Sequence, residues 1–195
     1  VYGNAYAQKD WGRINQYTSM IHKVLPSLGT MVWIFLIFFS KEIIILWTGN
    51  EKVFGGYFLM FSLGLYGYLL SYVNTYATLA YSLNFANHTL KIAWSEAVLN
   101  LFFSIVLIQF FGIAGVALAT ALATFFAGFI FLPKAIAKLT NGEIVYDFAY
   151  AKKHFIYLVI PSILLSISVI ELNFLPKVAI FIFLIVLYII LSWKF

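Results

Sequence analysis

Two long apolar segments of the sequence carry small and polar residues at helical spacing, and such residues in a membrane pack helices or bind substrates and ions. In the first segment, 57–80, and just beyond it, the steps are three or four positions, which places the residues on one helix face. A stripe of this kind either lets two helices approach closely or lines a water-filled cavity, and both interpretations remain open. The stripe comprises Gly64, Gly67, Ser71, Asn74, Thr78 and Ser82.

A second polar face lies in the segment 90–111, where Glu96, Asn100 and Ser104 follow one another at four-residue steps. A charge at helix depth costs roughly 2.5–3.5 kcal/mol on insertion scales, so a lipid-facing Glu96 is disfavoured. Three interpretations of its carboxylate remain open. It extends to the cytoplasmic boundary, it bonds to a neighbouring helix, or it binds a substrate or cation. We expect it to face the bundle interior, within reach of the stripe or of a water-filled cavity. The predicted substrate or ion pathway comprises Glu96, Asn100, Asn74, Ser71 and Thr78.

The composition identifies the setting in which these residues act. Of the 195 residues, 64% are hydrophobic and 10% are charged, whereas soluble domains are about 45–50% apolar and about 25% charged. A soluble domain is therefore excluded. Strands of a membrane β-barrel alternate polar and apolar residues over about 10 positions, but the apolar runs here are unbroken and about twice as long. Helices remain, because they satisfy their own backbone hydrogen bonds in lipid.

Six segments have the length and polarity of a membrane-spanning helix, which needs about 20 apolar residues. We predict an all-α integral membrane protein with a six-helix transmembrane domain over 24–195. Pro26 falls in the first turn of the first segment, and Pro161 is expected to kink the fifth. The segments are 24–39 (apolar residues continue to Trp47), 57–80, 90–111, 113–132, 155–170 and 178–193.

The first 23 residues are polar and mixed, and we predict that they form a cytoplasmic amphipathic arm. The apolar residues from position 9 onward recur at three- and four-residue steps, which suits a helix lying on the membrane surface. A polar linker is the alternative, since Gly12 weakens a helix. The apolar face of the arm comprises Trp11, Ile14, Tyr17, Ile21 and Val24.

The distribution of lysine and arginine predicts the orientation in the membrane. Threading six helices from the arm places nine of the 12 Lys and Arg residues on the side of the arm and three, Lys41, Lys52 and Lys177, on the other. The side with more positive charge is cytoplasmic, so both ends of the chain are predicted to be cytoplasmic. The net charge of +5 is thereby explained without nucleic acid.

The segment 113–132 opens with small residues at 115, 119 and 123. This spacing is typical of tight helix crossings, and we interpret it as scaffold.

No pattern in the sequence predicts an enzyme. Cysteine is absent, and His22, His88 and His154 are scattered without metal-ligand spacing. No nucleophile with a base, phosphate-binding loop or carboxylate pair is recognisable, so we predict no catalytic residue, metal or cofactor.

Two motifs lie between 57 and 138, AVLNL at 97–101 and FGIAGVALAT at 111–120. Through them the segment 57–138 resembles the C-terminal region of polysaccharide and O-antigen flippases, in the superfamily of multidrug and oligosaccharidyl-lipid exporters. Further similarity lies in SKEIIILWTG at 40–49 and YAQKD at 6–10.

The resemblance implies a fourteen-helix transporter of two six-helix lobes and a two-helix tail, of which this chain supplies helices nine to fourteen. Its partners are then the lipid bilayer, an N-terminal lobe upstream of Val1, and a lipid-linked oligosaccharide. The implied function is translocation of a polyprenyl-pyrophosphate glycan across the bacterial inner membrane by alternating access, in polysaccharide, O-antigen or lipopolysaccharide biosynthesis.

Three alternatives remain open. An ion-coupled multidrug exporter of the same superfamily would use an intramembrane acid such as Glu96. A membrane glycan polymerase or ligase would need a sizeable outward loop, and the predicted outward connections are short. A purely structural membrane subunit would use the polar stripes for packing alone.

Overall fold

The computed structural model describes residues 2–146, 148–168, 172 and 174–192. Within these ranges the chain folds into helices joined by short connections, without a β-strand, which confirms the all-α prediction. The helices are α1 (Tyr2–Ala7), α2 (Trp11–Thr48), α3 (Tyr57–Ser82), α4 (Ala86–Phe111), α5 (Ile113–Leu139), α6 (148–168) and α7 (Phe174–Ser192), with a 3-10 turn at Glu51–Val53.

Helix α2 joins two parts of the chain that the sequence analysis separated. Its N-cap is Asp10, whose side chain accepts a hydrogen bond from the Arg13 backbone N–H at 2.9 Å, and its C-cap is Gly49 with φ +65°. At about 1.5 Å per residue its 38 residues extend about 57 Å, well beyond a hydrocarbon core of about 30 Å. The arm from Trp11 onward is therefore helical, as predicted, but it continues the first spanning segment, and Pro26 lies inside the helix.

The arm also differs from a surface helix in what it contacts. Ile14 is fully buried and packs in one apolar cluster with Tyr76 and Leu79 of α3. The Asn15 side chain donates to the Glu143 carbonyl at 2.8 Å and accepts from the Val145 backbone N–H at 3.2 Å. The apolar face of the arm is thus covered by protein contacts at least at Ile14.

Close packing of α2 on α3 forms the centre of the fold. Trp33 of α2 is 1% exposed and lies against Gly64 of α3, where an added Cβ would come within 1.7 Å of the indole Cδ1. Helix α3 also packs closely against α5. A Cβ added to Gly128 of α5 would lie 2.7 Å from the Val73 side chain of α3. These glycines allow the close approach, so Gly64 serves in packing as the small-residue interpretation predicts.

Helices α4 and α5 form a hairpin whose turn is Gly112. This glycine has φ +57° and ψ −140°, a conformation that residues with a Cβ rarely adopt. Gly115 then lies against α4, where an added Cβ would be 2.2 Å from the Leu107 carbonyl oxygen. The predicted break at position 112 is confirmed, and Gly115 meets a neighbouring backbone as the small-residue spacing indicates.

Helices α5 and α6 each contain a π-helical segment, Thr124–Phe131 in α5 and Phe155–Val159 in α6. The segment in α6 ends two residues before Pro161, which has no N–H for the ordinary helical bond. The helix is thus irregular near Pro161, where the sequence predicted a kink.

Among the described residues, three helices are long and apolar enough to cross a membrane: Trp11–Thr48, Ala86–Phe111 and Ile113–Leu139. The apolar part of α7, Phe174–Ile190, is shorter. Helix α3 has 26 residues, but its many tyrosine, serine and threonine residues lower its hydropathy. Six spans and a two-lobed bundle therefore remain predictions.

Two ion pairs lie near helix ends. Lys177, 2% exposed, pairs with Glu42 of α2 at 2.5 Å, and Lys41 pairs with Glu51 at 2.5 Å. The orientation of the chain in a membrane stays a prediction. The predicted helix ends at Ile170 and Trp193 lie outside the described residues, and so does Lys194.

Candidate functional site

The small and polar stripe on α3 divides into a buried part and an exposed part. Gly64 packs under Trp33, and Ser71 is half-buried beside Gly29 of α2. The remaining members are exposed, and an added Cβ on Gly67 would meet nothing within 4 Å. The exposed stripe, as we call it, comprises Gly67, Asn74, Thr78 and Ser82.

The polar side chains of the α3 stripe differ in their hydrogen bonds. The Ser71 and Ser82 hydroxyls donate to carbonyls of their own helix, at 2.6 Å to Tyr68 and at 2.9 Å to Thr78. Within the ranges that the structure covers, the Asn74 carboxamide has no hydrogen-bond partner. An exposed amide on a helix of a membrane bundle has donors and acceptors available for water or for the hydroxyl groups of a ligand.

Glu96 and Asn100 form a different arrangement, which joins α4 to α5. The Thr124 hydroxyl donates to Glu96 Oε1 at 2.5 Å, and the Asn100 amide donates to the Thr120 hydroxyl at 3.1 Å. Ser104 adds a bond to Asn100 Oδ1 at 3.0 Å. Because both helices contribute at four-residue steps, the bonds form consecutive rungs between antiparallel helices, which we call the α4–α5 ladder.

The ladder shows which neighbour Glu96 contacts. Its carboxylate bonds to a neighbouring helix, one of the possibilities left open by the sequence, and that helix is α5, through Thr124. That Glu96 also lies within reach of the stripe on α3 or of a water-filled cavity stays a prediction. Asn100 likewise bonds to α5. The predicted pathway residues therefore fall into two groups, one on α3 and one at the α4–α5 contact. Spacing alone groups residues on a face without indicating which neighbour covers that face.

A third polar group, missed in the sequence, surrounds His154 of α6. His154 is fully buried; its Nε2 lies 2.6 Å from the Tyr188 hydroxyl of α7, and its Nδ1 lies 3.1 Å from the Tyr68 hydroxyl of α3. Ser27 of α2 is 3.5 Å from Nε2. Side chains from four helices thus meet at one imidazole.

Further aromatic contacts connect α3 with the N-terminal part of α2. His22 of α2 lies 5.3 Å from the Tyr72 ring centroid and 4.8 Å from that of Tyr76. Tyrosine hydroxyls both donate and accept hydrogen bonds, so the contacts of His154 satisfy either neutral tautomer. The regular four-residue spacing of Tyr68, Tyr72 and Tyr76 was a signal in the sequence, but it did not identify either histidine as the partner.

No group of three or more His, Asp or Glu residues that could hold a metal occurs in the part of the chain that the structure describes. The polar groups present are amides, hydroxyls, one carboxylate and buried imidazoles. They suit hydrogen bonding to a polar ligand and fixing of helices in place.

No protein-family model, curated protein or solved structure matches this chain.

Proposed function

We propose that the chain is part of a transporter that moves a lipid-linked oligosaccharide, a polyprenyl-pyrophosphate glycan, across a bacterial inner membrane. The observation that carries the proposal is the exposed stripe on α3. Polar groups facing hydrocarbon are disfavoured, so a stripe that other helices of this chain leave open suits a water-filled path. Glycan hydroxyl groups are suitable hydrogen-bond partners for Asn74 and Thr78.

The outer face of α4 supports this interpretation by contrast. Trp94 is 67% exposed, and Val98, Leu101 and Ile105, which follow it at three- and four-residue steps, are also exposed. Such a face suits lipid. The exposed stripe on α3 has the opposite character, which favours different surroundings for the two helices.

Alternating access requires rigid units that move relative to each other. Trp33 against Gly64 locks α2 to α3, and the His154 cluster ties α6 and α7 to both, so these helices are suited to move together. The exposed stripe itself carries no positive charge. In this proposal the cations that neutralise the pyrophosphate belong to the N-terminal lobe that the flippase resemblance implies.

An ion-coupled multidrug exporter is the second candidate, and the Glu96 carboxylate in the α4–α5 ladder favours it. For this alternative, Glu96 rather than the stripe would be the essential group. A glycan polymerase or ligase is the weakest candidate, since the connection between α2 and α3, which is predicted to face outward, is short.

The test is a translocation assay in cells or vesicles with the full-length protein, comparing lipid-linked glycan with a cationic dye. We expect Asn74→Leu to reduce glycan translocation about fivefold, the equivalent of one net hydrogen bond of ~1 kcal/mol. Ser95→Leu, at another exposed polar position, on α4, is the matched control and is expected to leave translocation unchanged.

Two outcomes would overturn the proposal. One is unchanged glycan translocation in Asn74→Leu at normal protein levels. The other is dye export, without glycan translocation, that Glu96→Gln abolishes, since this result assigns the chain to the exporter class.

A further inference from the structure

An apolar cavity of about 490 Å³ lies between α3, α5 and α6. Its size falls in the range of about 300–1,000 Å³ that is usual for ligand pockets. Leu69 of α3, Leu122 and Phe129 of α5 and Phe155 of α6 contribute to the wall. The cavity is separate from the exposed stripe and from the α4–α5 ladder.

Both π-helical segments of the structure contribute to this cavity. Phe125 and Phe129 come from Thr124–Phe131, and their rings stack with centroids 5.7 Å apart, while Phe155 opens the segment in α6. Segments of this type are rare and occur frequently at functional sites. Their coincidence at one cavity indicates a site that the fold has shaped, rather than a packing defect.

One lysine gives the cavity its charge. Lys152 of α6 lines it and is exposed, whereas the other wall residues are apolar apart from Tyr68, whose hydroxyl lies 3.1 Å from His154 Nδ1. The ion pairs formed within the described ranges are those of Lys41 and Lys177, so Lys152 has no carboxylate partner there. An apolar slot whose wall includes an exposed lysine without a carboxylate partner matches a molecule with an apolar chain and an anionic head.

We propose that this cavity binds an anionic membrane phospholipid, with one acyl chain between α3, α5 and α6 and the phosphate on Lys152. Lys152 belongs to the lysine-rich side of the chain, and basic pockets between helices on the cytoplasmic side bind anionic headgroups. The lipid is a resident component that fills the contact between helices. This inference requires membrane embedding but does not depend on the transported substrate.

The test is native mass spectrometry of the full-length protein, purified in mild detergent and supplied with phosphatidylglycerol or phosphatidylethanolamine. We expect preferential retention of phosphatidylglycerol. Lys152→Gln is expected to reduce that preference about fivefold, the effect of one lysine near anionic lipid. Lys153→Gln removes the same charge from the adjacent exposed position, which does not line the cavity, and is expected to keep the preference.

A second variant tests the apolar part of the site. Ile130→Trp places a larger side chain at a half-buried wall position and is expected to reduce retention of both lipids. Monodisperse elution and an unchanged thermal transition would establish that this variant folds. If it does not fold, the comparison of Lys152→Gln with Lys153→Gln is the test.

Three results would overturn the inference. They are equal retention of the two lipids by the wild type, identical behaviour of Lys152→Gln and Lys153→Gln, and displacement of phosphatidylglycerol by an equal concentration of polyprenyl phosphate. The last result would identify the occupant as a substrate-like lipid.

Discussion

Helices α3 and α4 are both 26 residues long, yet they occupy opposite environments. Helix α3 buries one face against α2, α5 and the His154 cluster and leaves the exposed stripe open, together with Phe58, Leu63 and Tyr81. Helix α4 has no buried residue in its most apolar 18-residue stretch, and its exposed residues are mostly large and apolar. The comparison shows that the two exposed surfaces differ in polarity. The exposed face of α4 suits contact with lipid, and the exposed stripe of α3 suits contact with water or further protein.

The largest effect is expected where α4 is fixed to α5. Gly115→Leu places a side chain where even a Cβ would be 2.2 Å from the Leu107 carbonyl oxygen. Backbone atoms cannot yield as a flexible side chain does, so the cost is expected to equal or exceed the ~1–3 kcal/mol of ordinary overpacking. We expect the variant to be depleted from the membrane in quantitative immunoblots. Normal accumulation would contradict this contact.

A pair of glycines on α3 tests its two faces within one helix. Gly64→Leu collides with Trp33 and is expected to lower thermal stability by ~1–3 kcal/mol, measured as unfolding in detergent. Gly67→Leu meets open space, so it is expected to accumulate normally and to impair translocation by filling the path. Equal stability of the two variants would contradict the assignment of Gly64 to a packed face and of Gly67 to an open face.

The His154 cluster is present on the buried side of α3 and has no counterpart on α4. Tyr188→Phe removes the hydroxyl that lies 2.6 Å from His154 Nε2. Loss of a partner from a buried polar group costs ~1–3 kcal/mol, so a lower unfolding temperature is expected. Tyr81→Phe, at an exposed tyrosine of α3, is the control and should leave the temperature unchanged.

Helix positions were largely predictable from the sequence. The starts at Tyr57 and Ile113 and the end at Phe111 follow from apolar runs bounded by Gly112 and by polar loops, because local backbone chemistry determines them. The continuity of the arm with the first span was not predicted, since a polar composition does not end a helix and Asp10 supplies a cap further upstream.

Contacts between distant residues were predictable only in part. Four-residue spacing correctly grouped Glu96 with Asn100, but their partners Thr124 and Thr120 come from a neighbour that spacing does not identify. His154 and Tyr68 are 86 positions apart, and no local pattern relates them. The apolar cavity is formed by three helices and includes two π-helical segments, so it became visible only with the tertiary structure.

The most direct test of the central claim compares single cysteines on the two helices, since the 195 residues contain none. Asn74→Cys lies on the exposed stripe of α3, and Val98→Cys lies on the apolar outer face of α4. In intact membranes a water-soluble maleimide should modify position 74 and leave position 98 unmodified, because a thiol in hydrocarbon is neither ionised nor reached by the reagent. Labelling of position 98 in preference to position 74, or equal labelling of both, would contradict a water-filled path along α3.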